Sequence, residues 1–141
     1  MVDPDILLIA FVETVEGVKG LVGDRGASAI LREAGRHSGP RLLESLIGKL
    51  PEVLNKENAL IRTCLIMEEL GFAEKVSLEE GKIVLKNDIF TEALREEVSP
   101  NSPIVSFLAG LIEGFVSFMS EEKIVLKPIS AQKGLVEFTY S

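Results

Sequence analysis

The sequence predicts an α+β fold, with four or five helices packed against a small antiparallel sheet built from two β-hairpins. Three observations lead there. Apolar residues recur at spacings of three and four through the first half of the chain, the period of an amphipathic helix. The period then drops to two in paired short runs, each pair separated by a turn signal, as in a hairpin. Between the pairs lies one long apolar stretch entered through Ser102 and Pro103, a helix start.

The elements follow in order. Residues 4–22 read as a helix that Asp3 caps, with Pro4 in the first turn and Asp5 at the positive end of the dipole. Its start is apolar nearly all round, so that part is deeply buried or lies at an interface. A second helix spans 24–38, with Ala27, Ile30, Leu31 and Ala34 inward and Arg25, Arg32, Glu33, Arg36 and His37 outward. Gly39 and Pro40 end it and open a third, whose buried set is Leu42, Leu43, Leu46, Ile47 and Leu50, before a break at Pro51. Asn55 caps a fourth that ends near Gly71, with Leu60, Ile61, Cys64 and Leu65 on its inner face. Residues 75–79 and 82–86 alternate around Glu80-Gly81, a hairpin. A short helix is expected within 88–98. The long apolar helix runs from Pro103 to about Met119. A second hairpin closes the chain, from 123–128 through a turn at Gln132-Lys133-Gly134 to 135–140.

The 141 residues make one domain, residues 1–141, long enough to fold without a disulfide or a metal. A hydrophobic fraction of 46% with 26% charged residues is that of a globular chain and not a disordered one. The net charge of −7 is spread over both halves with no basic patch, which argues against nucleic acid and against an anionic membrane surface as partners. The start of the chain lacks the basic residues of a signal peptide. The apolar stretch 104–119 is short for a membrane span and carries Glu113. One cysteine, Cys64, fits a reducing cytoplasm.

Residues able to carry chemistry are few. His37 is the only histidine, and a surface contact with Glu33 four residues back is its expected role. Cys64 sits at helical spacing among leucines and isoleucine, as a buried structural thiol would, with acylation or oxidation as the alternative. The doublets Glu68-Glu69, Glu79-Glu80, Glu96-Glu97 and Glu121-Glu122 are expected on solvated surface, since sequence neighbours point apart. Gly17, Gly20, Gly23 and Gly26 recur every three residues, but they follow no strand and precede no Lys-Ser/Thr pair, unlike a phosphate loop. The long helix is more informative. Ile104, Phe107, Leu108, Leu111, Phe115 and Phe118 form a wide apolar face. The opposite stripe, Ser106, Gly110, Glu113, Gly114 and Ser117, is small and polar. Glycine costs a helix about 1 kcal/mol relative to alanine, so Gly110 and Gly114 call for close packing of another backbone or for a cavity. Gly35 and Gly39 would allow the same approach.

The order of these features resembles the vinyl-4-reductase domain family of small ligand-binding proteins, over about residues 21–140. The family's Ala-Gly-x-x-x-Gly helix end is matched by Ala34-Gly35-Arg36-His37-Ser38-Gly39, and its Leu-Gly-aromatic junction by Leu70-Gly71-Phe72. Its Pro-x-Cys-x-Phe-x-x-Gly-x-x-x-Gly segment is matched by Pro103, Phe107, Gly110 and Gly114, and its final Cys-x-x-x-Gly by Ser130 and Gly134. Val105 and Ser130 stand where many members carry cysteines associated with zinc, so the resemblance implies the fold and the cavity but no metal. The family is related to haem nitric-oxide-binding domains and to vesicle-tethering subunits that hold an acyl chain. His37 lies in the wrong context to ligate haem, and no cofactor is expected.

The resemblance implies non-catalytic binding or sensing of a small hydrophobic molecule, by a protein that is commonly a homodimer. The pocket is expected between helices and sheet, near Gly35, Cys64, Phe107, Gly110, Leu111, Gly114 and Phe115. Two alternatives remain open. One is an enzyme or accessory protein in tetrapyrrole vinyl reduction, implied only by some family members. The other is a purely structural dimerisation module that uses the Gly110/Gly114 face.

Overall fold

The computed structural model describes residues 2–48 and 52–141. The chain is α+β. Its elements are α1 (Pro4–Ile47), α2 (Lys56–Glu69), β1 (Ala73–Glu79), β2 (Lys82–Asp88), α3 (Ile89–Glu92), α4 (Pro103–Ser120), β3 (Leu126–Gln132) and β4 (Leu135–Tyr140). The strands form one antiparallel sheet in the order β1-β2-β4-β3, so two hairpins meet along the β2–β4 seam.

The first three expected helices are one element with a single interruption. Only Gly23 leaves helical geometry, at φ 82° and ψ 170°, so α1 is two limbs, 4–22 and 24–47. The expected stop at Gly39-Pro40 does not occur. Proline disfavours helical geometry in the preceding residue by clashing with its Cβ, and glycine has none. The helix therefore continues through Pro40 to Ile47. Its expected buried set is also smaller. Leu43 is buried and Leu42 half-buried, while Leu46 and Ile47 are exposed. Ile30 is exposed as well. The inward position expected of Leu50 and the break at Pro51 lie outside the described residues.

Helix α2 starts as expected, with the Asn55 side chain accepting from the Asn58 N–H. Its inner face is Ala59, Leu60, Thr63, Cys64 and Met67. Ile61 and Leu65, expected inside, are 47% and 52% exposed. The buried stripe therefore includes Ala59, Thr63 and Met67 in place of Ile61 and Leu65, on a helix that packs against β1 and α4. Gly71, at φ 80°, reverses the chain into β1.

The first hairpin is built as the sequence indicates. Glu80 and Gly81 both adopt positive φ, the two-residue turn that matches strand twist. Val76, Leu78, Ile83, Leu85, Val136 and Phe138 line one face through the pairs Val76↔Leu85, Leu78↔Ile83, Ile83↔Phe138 and Leu85↔Val136. The second hairpin differs from expectation at its first strand. β3 begins at Leu126 and carries a register irregularity between Pro128 and Ser130. Proline removes a ladder donor and is tolerated on an edge strand such as this one.

Helix α4 is the centre of the molecule, with only Ser117 and Phe118 not buried. It is the one helix among the described residues long and apolar enough to cross a membrane by those measures, and 89% of that stretch is buried inside the protein. Ser102 occupies the N-cap and Pro103 the first turn, as expected. The Ser102 hydroxyl makes no cap bond and instead accepts from the Ser99 N–H at 3.0 Å, closing the preceding loop.

The glycines explain how α1 and α4 meet. A Cβ at Gly35 or Gly110 would be driven into the opposing backbone, at Phe107 O and Arg32 O respectively. A Cβ at Gly39 would lie 2.9 Å from Leu111 O, and one at Gly114 would lie 2.8 Å from Arg36 O. Two Gly-x-x-x-Gly stripes therefore interlock within one chain. The Gly110/Gly114 face that a dimerisation module would offer to a partner is filled by α1.

Candidate functional site

Four phenylalanines from four separate segments converge beside this crossing. Phe11 comes from the first limb of α1, Phe72 from the α2–β1 turn, Phe90 from α3 and Phe107 from α4. Their ring centroids lie 4.9 Å apart for Phe11–Phe107, 5.8 Å for Phe11–Phe90, 5.6 Å for Phe90–Phe107 and 5.7 Å for Phe72–Phe90. The planes are tilted or edge-on, an arrangement that brings positive ring edges to negative faces. With Leu42 and Leu111 they wall a concave pocket of about 340 Å³. Its polar residues are His37, Ser38 and Arg41, all from α1.

Local structure fixes each wall. The Gly35/Gly39 crossing draws the His37–Arg41 turn of α1 up against Phe107 and Leu111. Phe72 is held by its own N–H, which donates to Met67 O at 3.0 Å, and by its carbonyl, which accepts from the Ile89 N–H at 3.0 Å. Phe90 rides on α3, whose N-cap is the buried Asp88. That carboxylate accepts from the Thr91 N–H at 2.7 Å and from the Thr91 hydroxyl. Thr91 Oγ1 in turn accepts from the Gly134 N–H at 3.0 Å, which ties the β3–β4 turn to α3. Burial pushes the Asp88 carboxyl above its usual range, and the Thr91 hydrogen bonds only partly offset this.

A second cleft, of about 370 Å³, opens where α1 and α4 approach β3. Glu33, Arg36, Pro40, Glu113, Gly114, Ser117, Lys123 and neighbouring residues line it. Its main charges are already matched. Glu113 is 3% exposed. Its Oε1 accepts from Arg36 Nε at 2.7 Å and Arg32 Nε at 3.2 Å, and its Oε2 accepts from Arg32 Nη2 at 2.5 Å and the Leu126 N–H at 2.8 Å. Arg32 also donates to the Leu126 carbonyl. Burial pushes the Glu113 carboxyl up, but the hydrogen bonds from Arg32, Leu126 and Arg36 outweigh it and hold the group below the usual glutamate range. This cluster pins the first residue of the β3 edge strand to both long helices, so its chemistry is structural.

Of the residues the sequence singled out, Phe107 and Leu111 line the aromatic pocket. Gly114 lines the second cleft. Gly35 and Gly110 sit in the helix crossing, where no side chain fits. Phe115 is wholly enclosed in the core. Cys64 is buried on α2, and burial, with the nearby Glu68 charge, pushes its thiol up to about 11. Phe11, Phe72, Phe90 and the His37–Leu42 turn were not anticipated, because nothing in sequence separation marks four isolated aromatics as neighbours. The expected hydrogen bond or ion pair between His37 and Glu33 is absent among the described residues. Glu33 pairs with Arg36 at 3.4 Å instead.

The glutamate doublets are not uniformly free surface. Glu68 accepts from the Val76 N–H at 2.9 Å, Glu96 pairs with Lys19 at 3.0 Å, and Glu122 accepts from the Lys56 N–H at 3.0 Å. No protein-family model matches the chain, and no curated protein matches it.

Proposed function

We propose that this protein is a non-catalytic binding or sensing domain for a small hydrophobic molecule, held in the pocket walled by Phe11, Phe72, Phe90 and Phe107. The observation that supports this most directly is the pocket's composition. An open apolar surface pocket of about 340 Å³ with a few polar groups from one helix has the size and lining of a small-molecule site. Its four-ring lining suits a flat or aromatic body. The motif resemblance to vinyl-4-reductase domains supports the same reading, as does the α+β architecture with two hairpins. A cytoplasmic protein accords with its free, buried thiol.

The test uses phenylnaphthylamine, an uncharged dye whose fluorescence rises in apolar surroundings. We expect saturable binding to the native protein with a rise in thermal midpoint. Leu42→Trp, which fills the pocket from its half-buried wall, should abolish that binding while leaving the fold intact by circular dichroism. Dye binding unchanged in Leu42→Trp would remove the pocket from consideration.

The proposal includes pairing of two copies through the outer face of the first limb of α1. Ile6, Leu7, Ile9 and Leu21 are exposed there, and Gly17 and Gly20 face open space.

A further inference from the structure

We infer that the ligand carries a carboxylate, and that Arg41 receives it at the polar side of the aromatic pocket. This rests on the binding reading above and names the class of molecule. Of the four arginines of α1, Arg25 and Arg41 take part in no ion pair among the described residues, and of these two only Arg41 lines the aromatic pocket. Arg32 and Arg36 are both committed to Glu113. Arg41, five residues beyond Arg36 and on the pocket side, takes part in no ion pair among the described residues, yet it lines the pocket beside Leu42. His37 lies one helical turn before it and Ser38 between them, so three hydrogen-bonding side chains occupy the same stretch of wall.

The rest of the lining is Phe11, Leu42, Phe72, Phe90, Phe107 and Leu111, with no carboxylate among them. In a chain of net charge −7, a pocket with a cation and no anion departs from the average surface. A guanidinium is a planar fork of donors that matches the two oxygens of a carboxylate, and bonds between ionised partners are about twice as strong as neutral ones. The Ser38 hydroxyl already donates to the Ala34 carbonyl at 2.8 Å, so Arg41 and His37 are the groups free to turn toward a ligand. An apolar, preferably aromatic, acid then fits as a unit. Its body lies against the phenylalanines and its carboxylate meets Arg41 near solvent, where desolvation of the charge is incomplete and inexpensive.

Naphthylacetate and naphthylacetamide share one body and differ in the charged group. Each is titrated against phenylnaphthylamine bound to the native protein. The acid should displace the dye at roughly threefold lower concentration than the amide, the scale of a solvent-exposed ion pair. Arg41→Gln should bring the acid to the level of the amide, both being read against the dye affinity measured in that same variant. His37→Gln should give a smaller loss for the acid alone. Arg62→Gln, the same change at an exposed arginine on α2, should do nothing. Equal displacement by acid and amide, or an acid preference that survives Arg41→Gln, overturns the carboxylate inference while the hydrophobic site stands. Failure of the dye to bind the native protein at all removes both.

Discussion

Glu113 shows how one residue's surroundings set its contribution. Removing one member of a buried ion pair typically costs 3–5 kcal/mol, because a charge is left uncompensated. Here Arg36 is 42% exposed and Arg32 is 23% exposed, so both can regain water. We therefore expect Glu113→Gln to cost about 2 kcal/mol, less than a fully buried pair. The pH dependence has a definite sign. The folded carboxyl titrates below its unfolded value, so the unfolded chain takes up the proton first as pH falls. The Glu113 contribution is complete above the ordinary glutamate range and is lost as pH falls through the depressed folded value. Denaturant unfolding measured across acid pH should show a shallower slope in Glu113→Gln. Asp88 acts in the opposite sense, because its raised value makes its contribution fall as pH rises through the folded titration. At Cys64, a thiol pushed up to about 11 stays protonated at neutral pH, and it is buried besides. Iodoacetamide should therefore label it at neutral pH only when denaturant unfolds the chain. Rapid labelling of the native protein would contradict that placement.

At the scale of elements, the α1–α4 crossing explains why some glycines matter and others do not. Gly110→Ala would press a methyl group into the Arg32 carbonyl, backbone against backbone, and neither helix can shift without opening the core. We expect a loss of about 3 kcal/mol, at the upper end of overpacking costs, read as a fall in thermal midpoint. Gly39→Ala should be costly for a second reason, since its Cβ would meet the Pro40 ring and disfavour helical geometry at position 39. The same residues limit what the sequence discloses. Gly39-Pro40 reads locally as a stop because stops are composed that way, yet Gly39 has no Cβ to meet the proline ring, and its close approach to Leu111 and Gly114 fits the uninterrupted helix. The hairpins were legible because their alternation and their Glu80-Gly81 and Lys133-Gly134 turns are local. The small stripe of α4 was legible as a close-packing surface, but its occupant was not. The pocket was legible only where it touches α4, at Phe107 and Leu111. Phe11, Phe72 and Phe90 lie on elements whose mutual placement no local pattern encodes.

For the whole molecule, the first limb of α1 has an inward face and an outward face that are both apolar. Val12 and Val15 face inward and are buried, whereas Ile6, Leu7 and Ile9 are 59%, 59% and 58% exposed and Leu21 is 87% exposed. Large apolar side chains exposed at both ends of one helical limb, here with Glu13 and Thr14 exposed between them, are a feature of interaction surfaces. Gly17 and Gly20 add to the argument by contrast with Gly35 and Gly39. No neighbour among the described residues accounts for them, although each costs the helix about 1 kcal/mol relative to alanine. A second copy laid along this limb would account for both features. Light scattering should then give twice the chain mass for the native protein and the single mass for Leu7→Glu. Gly17→Leu separates the cases further. In a lone chain it fills open space and improves helix propensity, so the thermal midpoint should rise, whereas in the proposed pair it blocks close approach and the mass should fall. Self-association must also overcome repulsion between two chains of charge −7. Salt screens that repulsion within about 10 Å at 0.1 M and leaves the apolar contact in place. Raising ionic strength should therefore shift the native protein toward the dimer, and a dimer that dissociates with added salt would place the contact on charged residues instead.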